Sequence, residues 1–349
     1  MMLKLTRCQN KMKNQRKEIL PQLITQAGSV KGGIEMKELP KIALGTWSWG
    51  VGAVGGDQVF GNHVGEKELK LVFDLAMRNG LNLWDTAYVY GMGASESVLG
   101  KLSKNCRRED IVFSTKFTPD IAGNGENPVE EMWNGSCQRL GTDYIDIYWI
   151  HNPGDVEKWT PQLIPLAKSG KIKRIGVSNH NMEQIKRAEE ILSAEGLHIS
   201  AVQNHYSLIY RSSEDAGILK FCSENHMDFF AYMVLEQGAL SGKYNAENLM
   251  PEESQRGKTY NPILPKLGDV LEALSEIGKK HDATAAQVAV AWAIGKGTIP
   301  IIGVTKAEQV EDAAKAAGIV LEKEECEHLE RLAKDSGVDT RGSWEKPMI

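Results

Sequence analysis

Apolar and polar positions along this chain follow two alternating rhythms. Short β-branched or apolar runs recur at 42–46 (IALGT), 81–87 (LNLWDTA), 111–116 (IVFSTK), 145–151 (IDIYWIH), 172–179 (IKRIGVSN), 201–207 (AVQNHYS), 227–233 (MDFFAYM) and 298–304 (TIPIIGV). Several are apolar almost throughout, as strands buried on both faces are. Between them the apolar residues return with helical spacing. In 66–79, Leu69, Val72, Phe73 and Ala76 follow i, i+3, i+4, i+7, and Gly80 supplies a stop. Thr284 with Gln287 and Thr305 with Glu308 read as capping boxes that open two more helices. Segments 94–104, 128–140, 181–194 and 214–225 complete the helical set. Eight strands alternating with helices predict an α/β fold with a parallel sheet, and eight is the number that closes a (β/α)8 TIM barrel. The longest irregular stretch, 236–266, contains Gly238, Gly242, Pro251, Gly257 and Pro262, and a loop of that length in a compact domain usually serves function.

Length and charge narrow the picture. The 349 residues suit one such barrel, read here as 36–349. Residues 1–35 carry Lys4, Arg7, Lys11, Lys13, Arg16 and Lys17 before the first acid, Glu18. They read as a basic tail, disordered or translated upstream of Met36, with an organellar transit peptide as the alternative. A net charge of −5 leaves no nucleic-acid footprint. Cys8, Cys106, Cys137, Cys222 and Cys326 are scattered with no C-x-x-C pair, which argues against a disulfide framework and for a reducing, cytoplasmic compartment. No apolar run reaches bilayer length. The expected partner is a small molecule, with no nucleic acid and no membrane, and the chain is expected to be a monomer or weak oligomer.

In closed barrels of this kind chemistry sits at the C-terminal ends of the strands. Those ends present Thr46 and Trp47, Asp85, Lys116, His151, Ser178 and Asn179, Gln203 and His205, Tyr232, Gly303 and Thr305, with Tyr90 five residues after Asp85. Taken singly, Asp85 can cap a turn, Tyr90 can be a packed aromatic and Lys116 a surface lysine. Taken together they suggest one chemistry. A tyrosine, with an ordinary pKa of about 10, donates a proton poorly unless its anion is stabilised. Lys116 would lower that pKa, Asp85 would hold Lys116 charged, and His151 would orient a substrate oxygen. Such a set protonates a carbonyl oxygen that is gaining charge, and it requires a hydride-donating cofactor. Metal hydrolysis would need clustered ligands. No H-x-H occurs, and His180 and His205 read as hydrogen-bonded loop or core residues.

The stretch GVGAVGG at 50–56 matches G-x-G-x-x-G through Gly50, Gly52 and Gly55. A dinucleotide fingerprint needs a helix to open at the third glycine, and Gly56, Gly61 and Gly65 precede any helical pattern here. The loop is expected instead to be a mobile wall of the substrate pocket. Phosphate is better served near Gly303–Glu308, a capped helix start, with Lys243, Lys306 and Arg256 adding charge.

WDTAYVYG (84–91), STK (114–116) and YIDIYWIH (144–151) resemble, in order, the Asp/Tyr, lysine and histidine segments of the aldo/keto reductases. GVSN (176–179), VQNHYS (202–207), AYMVLEQGALSGKY (231–244) and GVTKAEQVED (303–312) match that family's cofactor segments, and the resemblance covers about 40–340. It implies a (β/α)8 oxidoreductase using NADPH, less often NADH, to reduce an aldehyde or ketone. Tyr90 would be the general acid, Lys116 and Asp85 would tune it, and His151 would orient the carbonyl. Ser178, Asn179 and Gln203 would bind the carboxamide, and Tyr232 would stack on the nicotinamide. Thr46, Trp47, Asp85 and Leu235 would also lie at the cofactor. Gly238, Leu240, Gly242 and Lys243 would hold the pyrophosphate and Thr305, Gln309 and Asp312 the adenosine end, with Gly303 and Arg256 also at the cofactor. NADP is favoured over NAD. Three positions depart from the family pattern: AYMV stands for AYSP, Ala313 replaces an asparagine, and no arginine lies in 304–312.

Two other readings compete. Channel β subunits of the same family bind NADPH and act mainly through a partner, and a phosphate-binding barrel isomerase would use the same fold. Substrate choice would rest in the loops 48–65, 88–93 and 206–212 and the C-terminal RGSWEKPMI, with Trp47, Tyr88, Trp149 and Trp344 as candidate aromatic walls.

Overall fold

The computed structural model describes residues 38–349 apart from 62, 343 and 349. One unit spans Pro40–Ile349; the other, Met1–Leu39, falls almost wholly outside the described residues, and with it the tail expected at 1–35. All eight expected strands form: β1 (Ala43–Gly45), β2 (Leu83–Asp85), β3 (Val112–Phe117), β4 (Ile145–Ile150), β5 (Ile172–Ser178), β6 (Ile199–His205), β7 (Asp228–Tyr232) and β8 (Ile299–Gly303). They pair in parallel in chain order, and β8 closes on β1 through Ala43–Ile301, Leu44–Ile302 and Gly45–Gly303. The result is the (β/α)8 TIM barrel read from the sequence.

The barrel interior is packed by ring stacking against glycine. Trp149 lies inside, edge-on to Phe230 at 5.1 Å. A Cβ on Gly176, in the neighbouring strand β5, would sit 2.1 Å from that indole, so only glycine fits there. Outside, helix Glu66–Arg78 buries Leu69, Val72, Phe73 and Ala76, the stripe its spacing predicted. Helix Ala285–Gly295 is apolar nearly all round because Gly268–Lys280 covers one side and Ala307–Ala316 another. Its Thr284/Gln287 capping box forms as expected.

Three expectations need correction. The helix expected at 214–225 is two, Ser212–Asp215 and Ile218–Glu224, because Gly217 at φ 76° takes the left-handed conformation between them. The capping box of Thr305 with Glu308 is displaced by one residue. The helix starts at Ala307, so Gln309 reaches back and its Oε1 accepts from Thr305 N at 2.7 Å and Lys306 N at 3.0 Å. The stretch 236–266 is not irregular throughout: Ser254 caps a helix at Gln255–Tyr260, which packs against Gly56–Phe60.

Candidate active site

Period-two alternation along the strands places the polar residues. Ser114 and Lys116 point inward from β3, and Thr118 continues the alternation just beyond. Lys116 is fully buried, and its ammonium has three donors. They go to Asp85 Oδ1 at 2.6 Å, Thr86 O at 2.8 Å and the Tyr90 hydroxyl at 3.3 Å. The other Asp85 oxygen accepts from Ser114 Oγ at 2.7 Å and Gln203 Nε2 at 3.1 Å. Ser114 accepts in turn from Trp149 Nε1 at 2.7 Å. The buried ion pair therefore has its hydrogen bonds made, the condition under which such a pair is tolerated.

The proton states follow from these surroundings. Burial disfavours the Lys116 cation, but Asp85 and Tyr90 more than offset it, and its pKa is raised. Burial also raises the Tyr90 phenol; Lys116 pulls it down, and Asp85 pushes it up. The expected lowering of Tyr90 therefore exists as a component but does not prevail, and the phenol keeps its proton. His151 is held well below its ordinary pKa by burial first and Lys116 second, so it is a neutral imidazole. Its Nδ1 lies 3.0 Å from Thr118 Oγ1, and its ring meets Tyr90 edge-on at 6.0 Å.

Along the cleft, Ser178, Asn179 and Gln203 are buried at the ends of β5 and β6. Asn179, left-handed at φ 60°, donates to His151 O at 2.9 Å and to Asn152 Oδ1 at 3.1 Å, and accepts from the Tyr232 hydroxyl at 2.6 Å. Thr46 is buried and its hydroxyl donates to Asp85 O at 3.2 Å. Trp47 stacks on Tyr90 at 5.6 Å.

The next segment combines flexible backbone with positive charge. Gly238 and Gly242 lie at φ 107° and 76°. Leu240 is a core side chain and Leu235 is half-buried. Arg256 Nη1 donates to Gln237 O at 3.4 Å, while its buried Nε has no partner. Lys243 and Arg256 lie 5.1 and 5.6 Å from the ring of Tyr244. An unpartnered guanidinium N–H and an exposed ammonium beside two left-handed glycines fit a pyrophosphate.

Beyond it, Gly303 ends β8, but Gln309 takes the N–H groups of Thr305 and Lys306. Asp312 accepts from Gln287 Nε2 at 2.7 Å. The helix start expected to cradle phosphate is therefore self-capped, and Gln309 must turn out before an anion uses those groups.

The GVGAVGG stretch holds another correction. A helix does begin there, Gly56–Phe60 with Gly55 as its cap, but it has only five residues. Its N-terminus is taken: Gly56 N donates to Gly50 O at 2.7 Å, and the Asp57 carboxylate accepts from Gly52 N at 3.0 Å. A carboxylate in that position repels phosphate. The glycines serve close approach instead. A Cβ on Gly50 would lie 2.8 Å from Tyr90 O, and one on Gly91 would lie 2.8 Å from Val51 O. Phe60 then packs edge-on to Trp47 at 5.1 Å. The loop is thus fitted to the one that carries Tyr90.

Residues 41–334 match the model of the aldo/keto reductase family. The chain belongs to this family. It is 32% identical over 312 residues to the chloroplastic pyridoxal reductase of Arabidopsis thaliana, covering 84% of this chain and 83% of that protein. It is 32% identical over 311 residues to aldo-keto reductase str7 of Strobilurus tenacellus, covering 84% and 90%. A solved aldo/keto reductase from Klebsiella pneumoniae, in complex with NADP and acetate, superposes with a TM-score of 0.66 at 27% identity, covering 84% of this chain and 91% of that one.

Sequence reasoning missed Ser114, Thr118 and the carbonyl of Thr86 as partners of the aldo/keto reductase cluster. The signal for the first two was present: Ser114, Lys116 and Thr118 are polar at every second position along and just past β3. Among the described residues no group of three His, Cys, Asp or Glu is placed to hold a metal, and no helix is long and apolar enough to cross a membrane.

Proposed function

We propose that this aldo/keto reductase reduces an aldehyde or ketone to an alcohol with NADPH, Tyr90 giving the proton. One observation carries the reading: a fully buried Lys116 held by Asp85 also reaches the Tyr90 hydroxyl. When bound, the cofactor supplies the hydride. Ser178, Asn179 and Gln203 would hold its carboxamide and Tyr232 its ring face. Thr46, Trp47 and Leu235 would flank it; Gly238, Leu240, Gly242, Lys243 and Arg256 would line its phosphates. Gly303, Thr305, Gln309 and Asp312 would take the adenosine end. The two cations near Tyr244, and Lys306 at the adenosine end, favour NADP over NAD.

Tyr90 then acts as a protonated acid beside a fixed cation. As its proton leaves, Lys116 stabilises the phenolate without moving, which is where preorganised charge lowers a barrier. Neutral His151 would accept from Thr118 on Nδ1 and so carry its own proton on Nε2, facing the carbonyl oxygen. Trp47, Val51, Val54, Met92 and Trp344 give the mouth an apolar rim suited to an aromatic or aliphatic carbonyl compound. Pyridoxal heads the substrates to try, since one relative is a pyridoxal reductase. The test follows NADPH absorbance with pyridoxal and a panel of aldehydes. Turnover should appear, and Tyr90→Phe should lose about 10²–10⁴-fold of it. No turnover, or turnover indifferent to Tyr90→Phe, refutes the reading.

A further inference from the structure

A second buried charge cluster lies outside the groups that do the chemistry. His205, at the end of β6, is fully buried with a carboxylate on each ring nitrogen: Glu345 Oε1 at 2.9 Å from Nδ1 and Glu236 Oε1 at 3.0 Å from Nε2. Carboxylates only accept, so both ring nitrogens must donate, and the ring that satisfies both is the imidazolium. Glu236 also accepts from Tyr260 OH at 2.8 Å, Thr340 Oγ1 at 2.9 Å and the Ser207 hydroxyl. Its backbone is left-handed, at φ 47°, as is that of Gln237, at φ 51°. Non-glycine residues stay there only when their surroundings hold them.

This cluster joins segments that border the cleft. The strained turn leads straight into Gly238, and the Gln237 carbonyl accepts from Arg256. The C-terminal segment supplies Thr340 and Glu345, sends Trp344 Nε1 to the Tyr232 hydroxyl at 3.4 Å and buries Met348 against Asn204. His205 itself stacks beneath Tyr232 at 5.4 Å and on Tyr210 at 4.2 Å.

We propose that His205 is a positioning residue: held between Glu236 and Glu345, it latches the C-terminal residues Thr340, Trp344, Glu345 and Met348 to the turn after β7 and thereby sets the rate at which NADP(H) leaves the cleft. The proposal rests on the reading that NADP(H) lies along Tyr232, Gly238 and Arg256. The groups facing His205 are Glu236, Glu345, Tyr210 and Tyr232, with Tyr260 reaching it through Glu236. Burial disfavours the cation, but the two carboxylates outweigh burial and raise its pKa to about 9. The latch is therefore closed at neutral pH and opens as pH rises through about 9, when two carboxylates face a neutral ring.

The test loads the full-length protein with NADPH and chases it with excess NADP+ in a stopped-flow fluorimeter, from pH 7 to 10. Glu345→Gln and His205→Asn should release NADPH about tenfold faster or more at pH 7, since a segment that must open before the cofactor leaves limits release until its latch is broken. Wild-type release should accelerate through pH 9, and the two variants should stay flat. If His205→Asn fails to fold, Glu345→Gln carries the test, because it lies on the terminal segment outside the barrel. Wild-type binding with release unchanged in Glu345→Gln, or wild-type release flat to pH 10, overturns the latch alone. No NADPH binding by the wild type overturns the cofactor reading and the latch with it.

Discussion

Two charged clusters are buried at the same end of this barrel, and they are built to different plans. Around β2 and β3, one cation, Lys116, meets one carboxylate, Asp85, and the third donor of the ammonium points at a half-buried hydroxyl, Tyr90. Around β6 and β7, one cation, His205, meets two carboxylates, and the hydroxyls that donate to them come from Ser207 just after β6, Tyr260 in the long loop and Thr340 in the C-terminal segment. The first cluster is balanced in charge and keeps a proton-bearing group at the cleft. The second carries surplus negative charge and turns its hydrogen bonds inward. Burial costs both of them, so the difference lies in what each brings together: a tyrosine hydroxyl with a cation in one, the turn after β7 with the C-terminal segment in the other.

The sharpest way to break this contrast is Lys116→Met. It leaves Asp85 buried without its cation and removes the charge that favours a Tyr90 phenolate. Turnover should fall about 10²–10⁴-fold, and stability by about 3–5 kcal/mol, measured by NADPH oxidation and urea unfolding. If turnover survives, the first cluster is only a structural pair, and the contrast collapses.

The second cluster should show itself in stability against pH. The folded pKa of His205, about 9, lies above its ordinary 6.5. Its contribution is therefore complete below pH 6.5 and is lost as pH rises through about 9. The difference amounts to about 3 kcal/mol, taking each pKa unit as about 1.4 kcal/mol. Urea midpoints should decline over that window in the wild type and much less in His205→Asn. Parallel curves would mean that His205 is not charged.

A smaller effect separates packing at Tyr90 from backbone strain elsewhere. Gly50→Ala drives a Cβ to 2.8 Å from Tyr90 O, whereas Gly61→Ala, at φ 68°, meets no atom within 4 Å. The first should shift the tyrosine and cost about 10²-fold in turnover. The second should cost about 1 kcal/mol of stability and leave turnover alone. Equal turnover in the two variants would remove the glycine loop from the Tyr90 site.

The two clusters also differ in how visible they were in the sequence. The strands were legible because runs such as IDIYWIH are buried on both faces, and the first cluster because its members stand at strand ends and at alternate positions of β3. The second was not. His205 reads as a lone core histidine, and its partners lie 31 and 140 residues away with no local pattern to pair them. The misplaced features have local causes. A one-residue shift in helix start gave the cap to Gln309 rather than Glu308. A five-residue helix opened by glycines, Gly56–Phe60, has too few turns to show a period.

The smallest predicted effect bears on the group that links chemistry to positioning within the first cluster. Thr118 is not among the hydrogen-bond partners of Lys116, yet its hydroxyl lies 3.0 Å from His151 Nδ1. If it fixes the tautomer, Thr118→Val leaves Nδ1 buried without a partner and lets the proton sit on either nitrogen. A hydrogen bond of this kind contributes about 1 kcal/mol, so kcat/KM for the carbonyl should fall about fivefold. Binding of NADPH should not change, because the hydroxyl of Thr118 bonds His151 and none of the residues proposed to hold the cofactor. The nitrogen shifts of His151 in labelled protein report the tautomer directly. A variant with normal kinetics and an unchanged Nε2–H tautomer would show that His151 is oriented by its ring packing against Tyr90 and not by the threonine.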